Sequence, residues 1–223
     1  MKVLDLTQPL DARTVLWPGS DPFIADGQDG YDADGFWWRR IATPEHAGTH
    51  LDAPAHCVPG ASTVADIPAE QLVRPAVRID ARGLCDGDPA WTLSAADVAA
   101  WEAEHGTVPA GAAVLLCTGW DAYRGDARRY LGEPLDFPGF GGDAAALLVE
   151  RGAAGLGIDT LSVDAGASAE FAVHRTALPA GLWHVEGLVG LDAVPPTGAT
   201  IVVGALRLPG ASGTPARVFA LLP

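Results

Sequence analysis

The chain of 223 residues carries 14 Lys+Arg against 28 Asp+Glu, a formal net charge of −14 with histidine neutral. No window holds a basic stripe, the densest cationic pairs being Arg39-Arg40 and Arg128-Arg129, so nucleic acid and anionic membrane surfaces are excluded as partners. With 48% hydrophobic and only 19% charged residues, burial alone can fold the chain as one domain over residues 1–223.

Asp5 interrupts the apolar stretch that a signal peptide needs, and the longest apolar runs, such as Ala112 to Cys117, fall far short of the roughly 20 residues that cross a bilayer. A cytoplasmic protein is expected. Cys57, Cys85 and Cys117 are odd in number and sit at no metal-ligand spacing, which fits a reducing compartment and packing roles. No repeat of fixed period is present. Val3 to Leu6 reads as a first strand, and Pro9 to Gly35 as a turn-rich polar loop carrying Trp17, Phe23 and Tyr31. Pro75 to Asp80 alternates as a strand. Ser94-Ala-Ala-Asp97 is a capping box for a helix that stops at Gly106. Ala112 to Thr118 reads as a buried strand, Asp143 to Arg151 as a helix ended by Gly152, and Gly155 to Ile158 as a short strand. Ser168 is placed to cap a helix running to about Ala177. Leu182 to Glu186, Thr200 to Leu206 and Arg217 to Leu221 complete the strands, and the order predicts an α/β fold with a mixed sheet.

The chemistry concentrates in His46-Ala47-Gly48-Thr49-His50-Leu51-Asp52-Ala53-Pro54-Ala55-His56, which holds three of the six histidines and an aspartate. Imidazole and carboxylate without thiolate suit zinc, manganese or iron. All four side chains sit at even offsets, yet a straight strand over 46–56 would span roughly 33 Å at about 3.3 Å per residue. The chain must therefore bend, and Gly48 and Pro54 are placed to allow it while arguing against a helix. Cys57 beside His56 points to the opposite face of an extended chain and reads as a small core hydrophobe. Further ligands can come from His174, His184, Glu186, Asp159, Asp164 and Asp192. In Leu182-Trp183-His184-Val185-Glu186, alternation puts His184 and Glu186 on one face, and spacing leaves both, with His174, open.

The motif His46-x-Gly-Thr-His50-x-Asp52-x-Pro-x-His56 resembles the signature of the cyclase-type metal-dependent hydrolases, a family that includes bacterial kynurenine formamidase and isatin hydrolase. The resemblance continues through Asp5-Leu-Thr-Gln-Pro-Leu10, Trp17-Pro-Gly19, Thr118-Gly-Trp120, Gly157-Ile-Asp-Thr-Leu-Ser-Val-Asp164 and Pro215-Ala-Arg217-Val. It implies a swivelling β/β/α domain and a homo-oligomer, dimer or tetramer, whose neighbours help to close the site. By the same resemblance His46, His50 and Asp52 bind a first metal, with Asp52 bridging to a second. His174 and Glu186 fit the distant His and Glu of the formamidases, Glu186 touching both metals, which sets His184 aside. His56 falls at the acid–base position and Trp17 at an aromatic that contacts substrate. The cofactor implied is zinc, one or two ions, or manganese, as a single manganese serves isatin hydrolase. Cys57 departs from a bulky aromatic of many relatives, and the stretch from Tyr130 to Gly142 is longer than in the compact formamidases.

A divalent ion lowers the pKa of bound water from about 15.7 toward 7 and polarises carbonyls. The expected reaction is therefore attack of metal-bound hydroxide on a small amide, with His56 moving the proton to the leaving atom. Arylformamidase activity, N-formyl-kynurenine to kynurenine and formate in tryptophan catabolism, comes first. The alternatives are ring opening of a cyclic amide, imide or lactone, and a non-catalytic metal- or ligand-binding protein. Of the aromatic residues, Trp17 is expected in the pocket, followed by Phe140.

Overall fold

A computed structural model describes residues 1–28, 31 and 35–223. The elements in chain order are β1 (Lys2–Asp5), β2 (Ile24–Gln28), β3 (Trp38–Ala42), β4 (His50–Asp52), β5 (Val73–Asp80), α1 (Arg82–Cys85), β6 (Thr92–Leu93), α2 (Ala95–His105), β7 (Ala113–Cys117), α3 (Ala127–Leu131), β8 (Gly139–Phe140), α4 (Gly142–Glu150), β9 (Gly155–Ile158), α5 (Ala172–Ala177), β10 (Trp183–Glu186), β11 (Ala199–Ala205) and β12 (Gly213–Leu222). Eight strands form a mixed sheet in the order β1-β12-β11-β5-β7-β9-β10-β4. Because β4 also pairs with β12, seven of them close into a barrel with β1 beside it. The parallel run β5-β7-β9-β10 is completed by antiparallel β4, β12 and β11.

Alternation along the strands sorts side chains between two cores. Leu51, Leu115, Cys117, Trp183, Val185, Ile201 and Val203 meet inside the barrel. Val114, Leu116, Leu156 and Ile158 point the other way and are covered by Val98 and Trp101 of α2, Leu148 of α4 and Val173 of α5. Each such fully buried aliphatic side chain contributes about 1.5–3 kcal/mol relative to exposure. The α2 start follows its sequence signal: Ser94 Oγ accepts from the Asp97 N–H at 3.2 Å, and Asp97 Oδ2 accepts from the Ser94 N–H at 2.9 Å. Among the described residues no helix is long and apolar enough to cross a membrane.

Several expectations are corrected. The segment 9–35, read as loop, contains β2, which pairs with β3 in a hairpin that lies outside the main sheet; residues 29–30 and 32–34 of that segment lie outside the described residues. The last strand begins at Gly213 rather than Arg217, because Gly213, Thr214 and Pro215 pair with β4. Ser168 caps no helix, since α5 starts at Ala172 and takes its cap from Asp164. The mixed sheet of an α/β fold is as expected; its closure into a barrel goes beyond the layered arrangement that the resemblance implies.

Candidate metal centre

β4 and β10 lie side by side, antiparallel, with His50 opposite Glu186 and Asp52 opposite His184. Leu51 and Val185, the residues between them, are buried in the barrel. A period of two therefore turns His50, Asp52, His184 and Glu186 together onto the outer face. The chain enters β4 through Gly48, whose φ of +62° is left-handed, and leaves it through a 3-10 turn over Pro54–His56 with proline in its first turn. This is the bend that the spacing requires, and it returns His56 toward His46, with ring centroids 4.1 Å apart. Gly213 on β12 matters for a different reason: a Cβ there would run into the His46 ring.

α5 brings His174 to the same place. Asp164 Oδ1 accepts from the Val173 N–H at 2.9 Å and Oδ2 from the His174 N–H at 3.1 Å, so one carboxylate caps the helix. The same Oδ2 lies 2.6 Å from His174 Nδ1, which leaves Nε2 facing the cluster. His50 is fixed in the same manner, its Nδ1–H donating to the Gly48 carbonyl at 3.0 Å. For His46, Nε2 reaches Ser212 Oγ at 3.0 Å, and that hydroxyl donates to Glu45 at 2.8 Å. Three imidazoles thus have one nitrogen tied outward and the other turned inward to the carboxylates of the cluster, which is how protein ligands to a metal are oriented.

The inward atoms are spaced as ligands. Donors sharing one ion at 2.0–2.1 Å in tetrahedral geometry stand about 3.3 Å apart. His50 Nε2 lies 3.3 Å from Asp52 Oδ1 and 3.3 Å from Glu186 Oε2. On the other side, His174 Nε2 lies 3.5 Å from Asp52 Oδ2 and 3.6 Å from Glu186 Oε1. Both carboxylates therefore offer one oxygen to each of two imidazoles. His46 Nδ1 approaches Asp52 Oδ1 to 2.6 Å. One donor atom each from Asp52, His174, His184 and Glu186 lies within 4.8 Å of the others, as do one each from His46, Asp52 and His56. Asp52 Oδ2 and both nitrogens of His184 are buried without a hydrogen-bond partner. Buried polar atoms are ordinarily paired, and a nitrogen–oxygen donor set with unpaired members fits a divalent cation.

Electrostatics agree. Burial would lower the His50 imidazolium, but the Asp52 carboxylate and then Glu186 outweigh it and hold the group at about 10. His174 is likewise held well above its usual range, against burial, by Asp164, Asp52 and Glu186. Asp52, facing His50, His174 and His46, stays well below the usual carboxylate range although burial opposes this. Burial lowers His56 and, with the charge of His174 next, pushes His184 down to about 3.

Above the cluster opens a cavity of about 650 Å³, lined by Trp17, Phe171, Leu161, Cys57, His56 and Arg175 together with His46, His50, His174 and Glu186. Of the residues expected in the site, Trp17, His46, His50, Asp52, His56, His174 and Glu186 converge here, with Asp52 beneath the cavity floor. Others do not. Phe140 is buried between sheet and helices, because β8 pairs with β6 in the core. Asp159 accepts from the Thr118 and Gly119 backbone, tying the ends of β7 and β9. Asp192 is exposed and 3.8 Å from Arg82. Cys57, expected in the core, is exposed on the cavity wall because the 3-10 turn takes it off the strand's alternation; desolvation raises its thiol, which keeps it protonated. Leu161 and Phe171 carry no local signal in the sequence, as each reaches the cavity from a loop end. Phe171 stands out only in the structure, with a left-handed φ of +50° where α5 begins.

The family model Cyclase, described as "Putative cyclase", matches residues 4–165. The chain belongs to the Cyclase family. It is 32% identical over 206 residues to an isatin hydrolase of Roseibium aggregatum, covering 86% of this chain and 78% of that protein. It is 29% identical over 236 residues to a kynurenine formamidase of Sphingopyxis alaskensis, covering 98% of this chain and 97% of that protein. The solved structure of isatin hydrolase A from Ralstonia solanacearum superimposes with a TM-score of 0.93 at 36% identity, covering 100% of this chain and 92% of that one. These relatives are hydrolases.

Proposed function

We propose that the chain is a metal-dependent hydrolase of small aromatic amides, holding two divalent ions between Asp52 and Glu186. The observation that carries this is the pair of buried carboxylates, each presenting one oxygen to His50 and the other to His174 at 3.3–3.6 Å. His46, His50, Asp52 and Glu186 would hold the first ion, and Asp52, His174 and Glu186 the second. Zinc or manganese suits this donor set. When bound, such ions supply hydroxide at neutral pH and polarise the carbonyl that it attacks.

The protein's own groups do the rest. His56 is exposed on the cavity and partial burial lowers it, so its imidazole is neutral at pH 7 and free to accept a proton. Hydrolysis adds water across the C–N bond, and His56 delivers the proton that the departing nitrogen needs. Trp17 and Phe171, 6.0 Å apart between centroids, form aromatic walls for a flat substrate. Among substrates we place a fused cyclic amide first, since similarity is greater to the isatin hydrolases than to the formamidase, and an N-formyl aryl amine second. Incubation with isatin and with N-formyl-kynurenine, followed by mass spectrometry and a formate assay, separates them. A ring-opened acid one water heavier than isatin supports the first, formate release the second, and turnover of neither refutes the amide-hydrolase reading. The exposed Ile24, Phe36, Trp37, Trp38 and Ile41 in and around the β2–β3 hairpin support burial of the hairpin in a homo-oligomer.

Metal binding should be steeply pH-dependent. His50 and His174 both hold a proton in the metal-free site at neutral pH and must release it to bind. Affinity therefore falls as pH falls, by about 100-fold per unit below neutrality for two released protons. Zinc competition titrations between pH 6 and 8 measure the slope, and a pH-independent affinity would contradict the assignment.

A further inference from the structure

His184 lies outside the ligand set just described, although it sits among its members. The side chain is completely buried, and Trp183 and Val185 on either side are locked in the barrel core, so the strand cannot turn it elsewhere. Neither ring nitrogen has a hydrogen-bond partner. Directly across the β4–β10 pair stands Asp52, whose Oδ2 is likewise unpartnered. The His174 ring meets the His184 ring edge-on, with centroids 4.7 Å apart. Desolvating an imidazole without pairing either nitrogen is costly, and packing alone would be served better by an aliphatic side chain of similar volume.

We infer that His184 is a direct ligand of the inner ion, completing a site of two imidazoles and two carboxylates with Asp52, His174 and Glu186. Donor atoms of these four lie within 4.8 Å of one another, so the widest separation has to close by at most about 1.5 Å, shared between two side chains, to reach the roughly 3.3 Å of donors on one ion. Asp52 and Glu186, shared with the outer ion, set two negative charges against the four positive charges of the pair of ions. The outer ion keeps His46 and His50, and its exposed side faces the cavity. The inner ion is then enclosed by protein on the side away from substrate, which favours a structural and bridging role for it over direct contact with the reacting carbonyl. This inference rests on the two-ion reading above, and the test below separates the two.

The full chain, purified without chelator, is compared with His184→Leu by elemental analysis and by zinc titration against a chromophoric competitor. The expected result is two ions per wild-type chain and one per His184→Leu chain, the second zinc being weakened at least about 100-fold, with the circular dichroism spectrum unchanged. Two ions bound to His184→Leu with wild-type affinities would overturn the inference and leave the two-ion reading intact. One ion per wild-type chain would remove the two-ion reading; an unchanged affinity for that ion in His184→Leu would then remove the inference as well, and a weakened one would sustain it. No ion in the wild type refutes both. Should His184→Leu fail to fold, anomalous scattering at the zinc edge from wild-type crystals reads the same point: a peak about 2.0–2.1 Å from a His184 nitrogen is expected, and none within bonding distance overturns the inference.

Discussion

Asp52→Asn is expected to strip the protein of metal and to lower amide hydrolysis by about 10³-fold or more, the scale of several kcal/mol of transition-state stabilisation supplied by bound ions. Asp52 is almost wholly buried and faces four imidazoles: His46 at 2.6 Å, His50 at 3.3 Å, His174 at 3.5 Å, and His184 across the strand pair. An asparagine keeps the shape but removes the charge and turns an N–H₂ toward at least one nitrogen that must act as a donor to metal. The buried histidines also lose the carboxylate that offsets their positive charge. Elemental analysis and a rate assay on the same preparation check this; retention of two ions by Asp52→Asn would show that the carboxylate does not bridge.

His56→Ala produces the second large effect, of a different kind. Hydrolysis should fall by about 10²–10⁴-fold, the usual worth of a positioned general acid–base, while bound metal stays at the wild-type level. His56 sits on a 3-10 turn at the cavity rather than on the β4–β10 face, with its ring 5.6 Å from that of His174 between centroids. Its removal leaves the carboxylate pair untouched. A loss of metal together with activity would make His56 a ligand, and unchanged turnover would remove it from the chemistry. A binding protein that happens to carry the ligands would show no turnover to lose.

Much of this site can be read from the chain because it is built on short-range rules. Even spacing from His46 to His56, with Gly48 and Pro54 interrupting it, is enough to require a bend and to expect a loop or strand end, and the structure has β4 over only His50–Asp52 between them. Alternation in Trp183-His184-Val185-Glu186 puts His184 and Glu186 on one face, as found. It cannot say that this face meets β4, because the pairing joins residues more than 130 positions apart and leaves no local pattern. Barrel closure is hidden for the same reason: Gly213 to Pro215 carry no strand signal of their own and are drawn into β12 by pairing with β4. The start of α5 is set by Asp164, from beyond the local capping window, which a search for a cap next to the helix passes over in favour of Ser168. The hairpin β2–β3 hides in a segment whose glycines and aspartates suggest only loop. Cavity walls such as Leu161 and Phe171 depend on where loop ends come to rest, which no periodicity encodes.

The central claim is that Asp52 and Glu186, with the surrounding histidines, hold divalent metal that the hydrolysis requires. Turnover of an aromatic amide, measured on chelator-stripped protein before and after graded addition of zinc or manganese, tests it most directly. The account predicts that activity disappears on stripping and returns with added metal, reaching its plateau at about two equivalents per chain. Turnover that survives complete removal of metal would contradict it.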